Sequence, residues 1–260
     1  MRYPPKSQAP EYLDAPGQDP VLFAGLLEAV RRTNRWYGGR GLVLGYLDRF
    51  AQALPGRPLT ILDVATASAD IPAAIVTWSR ARGLPVRIAA LDINLDILAT
   101  ARRTTLGLPE VTLIRANALA LPFPDRSVDV VICALALHHF SFEDAAAVLC
   151  EIDRVARGGF IVNDVLRSWP AYVGAIADTW LVGRNPLARH DGPLSVLRSF
   201  TWPEFRALAR AAGLNGVEVR HHRMQRAVLV RWPNGMPVAA DAERGAVAGM
   251  GRAAGADIGR

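Results

Sequence analysis

Four short stretches hold side chains whose types and spacing suit chemistry on a small ligand. The run Asp63-Val64-Ala65-Thr66-Ala67-Ser68-Ala69-Asp70 follows an apolar segment with an acid and then a string of small residues. Such a turn lets backbone lie against a ligand and aims a helix N-terminus at it. Asp92 ends the next apolar run, where its two oxygens suit two neighbouring ribose hydroxyls. Ala116-Asn117-Ala118 offers an amide and an adjacent backbone N–H able to read a purine edge. Leu135-Ala136-Leu137-His138-His139-Phe140 brings two imidazoles, whose unperturbed pKa of about 6.5 suits orienting or deprotonating a substrate hydroxyl. Each also has an ordinary structural use. Asp63 could cap a helix, Asp92 could be a solvated loop acid, and a histidine after a buried strand often anchors its loop. For His138 the two uses stand nearly level.

These stretches gain meaning from the elements around them. From residue 59 the pattern alternates between short buried-strand runs and helical stretches, as expected of a parallel sheet covered on both faces. The expected strands are 60–64, 86–91, 111–115, 128–134 and 159–165, and the intervening helices 71–81, 95–106 and 144–155. After a long insertion comes a helix at 202–212, then two strand-like runs, 217–222 and 225–231, too close for a crossover helix and hence an antiparallel hairpin at the sheet edge. The expected architecture is α/β: a doubly wound, Rossmann-like seven-stranded sheet with an antiparallel final strand, N-terminal helices and an insertion before the last helix. The four chemical stretches then fall at the carboxyl ends of the first four strands, where open α/β sheets bind ligands.

The remaining chain divides around that domain. Residues 1–57 read as an extension with covering helices at 19–32 and 42–53, residues 58–232 as the main domain, and 233–260 as a flexible Gly/Ala/Arg tail. Prolines 4, 5, 10 and 16 mark residues 1–18 as another loose end. In the insertion, about 166–200, Tyr172, Ile176 and Trp180 form an apolar stripe that serves either core packing or a lid, and Asp191-Gly192-Pro193 reads as a turn. Trp36 is divided between core and substrate contact.

Composition removes several functions. The 260 residues are 51% hydrophobic with mean hydropathy +0.15, enough for a full core. The longest apolar run, 130–137, is too short to span a bilayer, so no stable membrane insertion is expected, and residues 1–20 lack a signal-peptide core. Cys133 and Cys150 are too few for a disulfide scaffold, and both read as inert buried thiols, which fits a cytoplasmic location. The net charge of +6 and pI near 10.0 come from basic residues that are all arginine except Lys6. They are scattered and accompany no nucleic-acid signature, so nucleic acid is not an expected partner. His221 and His222 have no metal partners at readable spacing, and no metal is assigned.

The stretches ILDVATASADIP, ALDINLDILATARR, ANALALPFPDRSVDVVICALALHHF and the late AAGL resemble class I S-adenosylmethionine (SAM) dependent methyltransferases, in particular the ubiquinone/menaquinone-biosynthesis-like branch. NRWYGG at 34–39 and RNPLARHDGPLS at 184–195 resemble a smaller bacterial subset, one that accompanies polyketide or phenolic-lipid secondary metabolism. The resemblance implies SAM as cofactor. Asp63, Ala65, Thr66 and Ala67 would hold its methionine end, Asp70 would flank the following helix, Asp92 with Ile93 would meet the ribose, and Asn117 with Ala118 the adenine, Leu135 lying beside them. His138 would be catalytic, and Trp36, His139, Tyr172 and Trp180 would meet the acceptor. The family's loop usually carries glycines where this chain has Ala65 and Ala67, whose methyl groups penalise positive φ. The expected function is methyl transfer to a small, aromatic or lipid-like acceptor, with oxygen favoured over carbon. A non-catalytic or repurposed methyltransferase-like protein is the alternative. An NAD-dependent oxidoreductase ranks third, because the loop lacks the glycine fingerprint. Oligomeric state is left open.

Overall fold

The computed structural model describes residues 2–15, 17–55, 58–182 and 185–233, so the tail expected beyond 233 lies outside the described residues. Seven strands run β1 (Leu59–Val64), β2 (Val86–Asp92), β3 (Val111–Arg115), β4 (Val128–Ala134), β5 (Ala156–Val165), β6 (Val217–His222) and β7 (Arg226–Arg231). Their order in the sheet is β3-β2-β1-β4-β5-β7-β6. The first five are parallel, and β7 inserts antiparallel between β5 and β6. The chain order reverses between β1 and β4, which opens a crevice above their carboxyl ends.

Side-chain alternation explains why the central strands read as continuous apolar runs. Leu62, Val64, Val131, Cys133, Phe160, Val162, Ala227 and Leu229 enter one core with α5 (Phe142–Val155) and α8 (Trp202–Ala211). Ile61, Val130, Ile132, Ile161, Val228 and Val230 enter the other with α2 (Gly39–Ala53) and α3 (Asp70–Ala81). With both faces buried, the runs are apolar at most positions, and buried exceptions such as Asp63, Asp129, Asn163 and Asp164 are each hydrogen-bonded.

Gly159 shows how tightly β5 is enclosed. It has φ 148°, and a Cβ there would sit inside the contact distance of the Arg231 carbonyl oxygen on β7 and 3.0 Å from the Phe50 ring. Gly159→Ala is therefore expected to lower stability by roughly 3 kcal/mol or more, a fall in Tm of about 6–12 °C, read by thermal denaturation.

A helical cap closes the crevice. It comprises α1 (Pro20–Trp36), α6 (Trp169–Leu181) and α7 (Pro186–Arg198), while α4 (Leu95–Thr104) joins the same apolar cluster through Ile97 beside Phe23, Leu26, Leu27 and Leu187. Helix α7 overturns the turn expected at Asp191-Gly192-Pro193: the helix runs through all three. Asn185 caps it by accepting from Ala188 N–H, and the Asp191 carboxylate, instead of closing a local turn, accepts from the backbone N–H groups of Tyr12 and Leu13. Tertiary partners thus outweigh the turn propensity of Asp, Gly and Pro. Gly192 has its own use, since a Cβ there would lie 2.7 Å from Thr179 Cγ2 on α6.

Two further expectations are corrected. The N-terminal segment is tied down: Arg167 donates to the Pro4 carbonyl at 2.7 Å, Arg198 donates to that of Ala9 at 2.9 Å, and Glu11 is buried. Its prolines disfavour regular structure without preventing docking. Cys133 is buried as expected, but Cys150 is exposed because it lies on the outer side of α5, its thiol donating to the Ala212 carbonyl.

Candidate active site

Between the cap and the strand ends lies a cavity of about 690 Å³, room for a nucleoside-sized ligand and a second small molecule. Asp63, Ala65, Thr66, Ala67 and Asp70 line it from the β1 turn, Asp92 and Ile93 from the end of β2, and Leu135, His138 and His139 from the end of β4. Ten of the residues singled out from the sequence thus meet in one place.

The β1 turn holds three alanines in the left-handed region, with φ 56° at Ala65, 49° at Ala67 and 56° at Ala69. The backbone therefore takes the form that glycines would give, at a conformational cost that glycine would avoid. Asp92 braces it: Oδ2 accepts from the Ala67 N–H at 3.2 Å and Oδ1 from the Asn94 N–H at 3.0 Å. Each oxygen keeps a lone pair for a ligand. Ala67→Gly should raise stability by roughly 0.5–1 kcal/mol, since the left-handed strain is relieved by more than the added freedom of the unfolded chain costs. Differential scanning calorimetry checks this, and a fall in Tm would contradict the strain argument.

Electrostatically the cavity is acidic: seven of its lining side chains are carboxylates against one guanidinium, Arg226. Burial pushes Asp63 up to about 7, with a Thr66 hydroxyl hydrogen bond at 2.6 Å pulling it back and Asp70 and Asp92 adding to the rise. Burial likewise raises Asp70, against a hydrogen bond from Asn34 Nδ2 at 3.3 Å, and it raises Asp92. Burial thus holds three carboxylates around one turn above their ordinary range. A cationic ligand would restore them.

At the far side, β4 ends in Leu135 at φ 55° and then a single 3₁₀ turn, Leu137–His139. His138 is buried, and its Nδ1 lies 2.8 Å from Asp164 Oδ1 at the end of β5. The His138 and Val165 N–H groups also donate to that carboxylate. Burial pushes Asp164 up, but His138, the Val165 N–H and Arg226 outweigh it and hold the carboxyl below its ordinary range. His139 pairs with Asp14 at 2.9 Å. Burial acts against the His139 cation, yet Asp14 and Glu11 carry its pKa above the usual value.

Five sequence-derived residues fall elsewhere. Asn117 and Ala118 do not line the cavity; the Asn117 amide oxygen accepts from the Leu119 N–H of its own turn at 3.0 Å. Trp36 is 57% exposed at the end of α1, and Trp180, 62% exposed, lies under the Arg189 guanidinium. Tyr172 packs edge-on against Trp169. The α6 face toward the cavity is instead Ala171, Gly174, Ala175, Asp178 and Thr179, whose small side chains leave the volume that aromatic ones would fill. The two shorter motifs do reach the site: Asn34 and Tyr37 from the first, with Tyr37 donating to Asp178 at 2.7 Å, and Ala188, Asp191, Gly192 and Ser195 from the second. Glu11, Asp164, Asp178 and Arg226 escaped sequence reasoning. Only Asp164 carried a readable signal, being another residue at a strand's carboxyl end.

A sheet of this order with β7 antiparallel, an acid-braced turn after β1 and a cavity over the β1/β4 switch together have the Rossmann-like fold of class I methyltransferases. Residues 62–162 match the family described as "Methyltransferase domain". Over 113 residues the chain is 40% identical to the demethylmenaquinone methyltransferase of Thermus thermophilus, covering 42% of this chain and 48% of the relative. It is 34% identical over 103 residues to the ubiquinone/menaquinone biosynthesis C-methyltransferase UbiE of Hahella chejuensis, covering 38% and 39%. The chain thus matches about half or less of the length of these curated relatives. A SAM-dependent methyltransferase from Aquifex aeolicus shares the fold with TM-score 0.55 at 19% identity, over 82% of this chain and 98% of that one. A Nostoc punctiforme protein titled as a putative O-methyltransferase does so with TM-score 0.57 at 18% identity, over 88% and 64%. The match to the methyltransferase-domain family thus spans the strand-rich half of the fold from β1 to β5, and over that stretch the chain is similar to ubiquinone/menaquinone-type methyltransferases.

Proposed function

We propose that this protein transfers a methyl group from SAM to a small, aromatic or lipid-like acceptor bearing a hydroxyl, with oxygen as the favoured site of methylation. The observation that carries this reading is the meeting, in one cavity, of an acid-ringed turn suited to a cation and a His138–Asp164 pair. Bound SAM would supply an electrophilic methyl on a sulfonium, so the chain's own tasks are to hold, orient and exclude water. Asp63 and Asp70 would hold the positive end of the cofactor, and Asp92 would accept hydrogen bonds from its ribose hydroxyls. The small face of α6, with Leu26, Ala29 and Val30 of α1, forms an apolar cover for the acceptor. Asp164 fixes the His138 ring so that Nε2 accepts the acceptor's proton as the methyl arrives.

Deprotonating a phenol activates its ring carbons as well as its oxygen, and the curated relatives named as C-methyltransferases favour carbon as the second reading. The test is incubation with ¹³C-methyl SAM and a panel of phenols and hydroquinones, read by NMR. An O-methyl carbon signal supports the favoured reading and a C-methyl signal the second. No transfer together with no SAM binding would return the domain to a non-catalytic role. The covering role of residues 1–57 and 166–200 belongs to the same proposal. Among the described residues no helix is long and apolar enough to cross a membrane.

A further inference from the structure

We propose that Glu11, His138 and His139 form a site for one divalent transition-metal ion at the acceptor end of the cavity. One ring nitrogen from each histidine and one carboxylate oxygen of Glu11 lie within 4.8 Å of one another, and all three residues line the cavity. No sequence spacing announces this set, because Glu11 arrives from the docked N-terminal segment.

Three observations point to a cation. The first is Glu11, which is 2% exposed. Its Oε2 accepts from the Ser195 hydroxyl at 2.9 Å, while Oε1 is buried with no hydrogen-bond partner. A carboxylate oxygen withdrawn from water and left unpaired is costly unless a positive charge faces it. Arg198 meets that need only in part: its Nε forms an ion pair with Oε1 at 3.7 Å but makes no hydrogen bond to it, its N–H groups going to the carbonyls of Ala9, His138 and His139. The second observation is that both imidazoles have Nδ1 on a carboxylate, His138 with Asp164 at 2.8 Å and His139 with Asp14 at 2.9 Å. Metal-ligating histidines are oriented in this way, with the other nitrogen left for the ion. His138 Nε2 lies 4.0 Å from Glu11 Oε1. The third is the donor set, two imidazoles and one carboxylate, which suits zinc, iron or cobalt and not the all-oxygen shells of calcium and magnesium.

Ligands on a tetrahedral ion with bonds of about 2.0–2.1 Å stand roughly 3.4 Å apart, so atoms now within 4.8 Å of one another close by about an ångström on binding, through small shifts of Glu11 and the two rings. The local charge also fits. Glu11, Asp14 and Asp164 face Arg198 and Arg226, and a divalent ion offsets the remaining acid. Three protein ligands leave a coordination position open toward the cavity, where an acceptor oxygen can bind. With the ion in place His138 Nε2 is a ligand, and coordination releases the acceptor's proton to solvent; the imidazole-base route belongs to the metal-free protein.

The site rests on geometry, not on the methyl-transfer reading, and it is tested without SAM or acceptor. Untagged full-length protein, stripped with chelator, is titrated with Zn²⁺ by calorimetry and with Co²⁺ by visible absorption. The expected result is one equivalent bound with Kd of about 1 µM or tighter. Glu11→Gln and His138→Ala should each weaken it by about 100-fold, Asp14→Asn by about 10-fold through loss of the His139 support, and His221→Ala not at all. Circular dichroism confirms that each variant is folded. Where a variant does not fold, X-ray absorption of the wild-type zinc complex reads two imidazoles and one carboxylate directly. Failure of stripped wild-type protein to bind, retention of full affinity in folded Glu11→Gln, or a shell without two imidazoles would each overturn the proposal.

Discussion

His138→Ala is expected to lower kcat with a hydroxyl acceptor by about 10²–10⁴-fold while leaving SAM affinity within a few-fold of the wild type. The split follows from position. His138 lies at the end of β4, away from the β1 turn whose carboxylates face the proposed cofactor, and its ring makes no hydrogen bond to that turn. Its contacts are Asp164 through Nδ1 and the backbone, and Glu11 near Nε2. Removing the ring therefore deletes a proton acceptor without disturbing the donor's seat. Asp164→Asn should act in the same direction but less, because an amide with its oxygen at the Oδ1 position still takes the ring Nδ1 and the Val165 N–H, while it loses the charge beside the ring and the bond from the His138 N–H to Oδ2. Unchanged turnover in His138→Ala would remove both the base role and the metal route to the same proton. Glu11→Gln separates those two routes, since only the metal route needs a carboxylate at that position.

The parts of this site that were legible in the sequence are those set by local pattern. Strands β3, β4 and β6 have the expected limits, and the other four differ by one to three residues at an end, because each is a short, mostly apolar or β-branched run bounded by polar, Gly or Pro residues. Residues at the carboxyl ends of these strands then follow from topology alone, which is why Asp63, Asp92 and His138 converge. The rest depends on contacts distant in sequence. Helix α7 was hidden because Asp191, Gly192 and Pro193 have turn preferences, and only Tyr12, Leu13 and Thr179 around them explain the helix. Glu11 stands in a proline-rich segment without periodicity, so nothing local marks it as buried. The α6 stripe was read from its aromatic residues, whereas a face that encloses a ligand is marked by small ones. Asn117 lies outside the cavity lining, where a short amide beside a turn bonds to its own backbone as readily as to a base.

Asp92→Ala should reduce SAM affinity by at least about 100-fold, since hydrogen bonds to a charged group contribute roughly 1.5–3 kcal/mol each and the β1 turn loses its brace at Ala67. Thermal unfolding separates local from global loss, because the strand core does not depend on this carboxylate. The companion effect lies at Asp63. Its folded-state pKa of about 7 is above the ordinary carboxylate value, so the native chain holds a proton that the unfolded chain releases. Without ligand, this group makes stability fall as pH rises from about 4 to about 7 and adds no further change above that. A sulfonium and ammonium bound against Asp63 favour its ionised form and return the pKa downward, so binding below pH 7 must expel the proton. SAM affinity should then decline by up to about tenfold per pH unit below 7, and calorimetry at pH 6 in buffers of different ionisation enthalpy should report close to one proton released. Above about pH 8 the release should vanish. Asp63→Asn should bind SAM weakly with no such pH dependence, because the amide has no proton to give up. Proton uptake on binding, or affinity independent of pH between 5.5 and 7.5, would show that the positive end of the cofactor is seated elsewhere in the cavity.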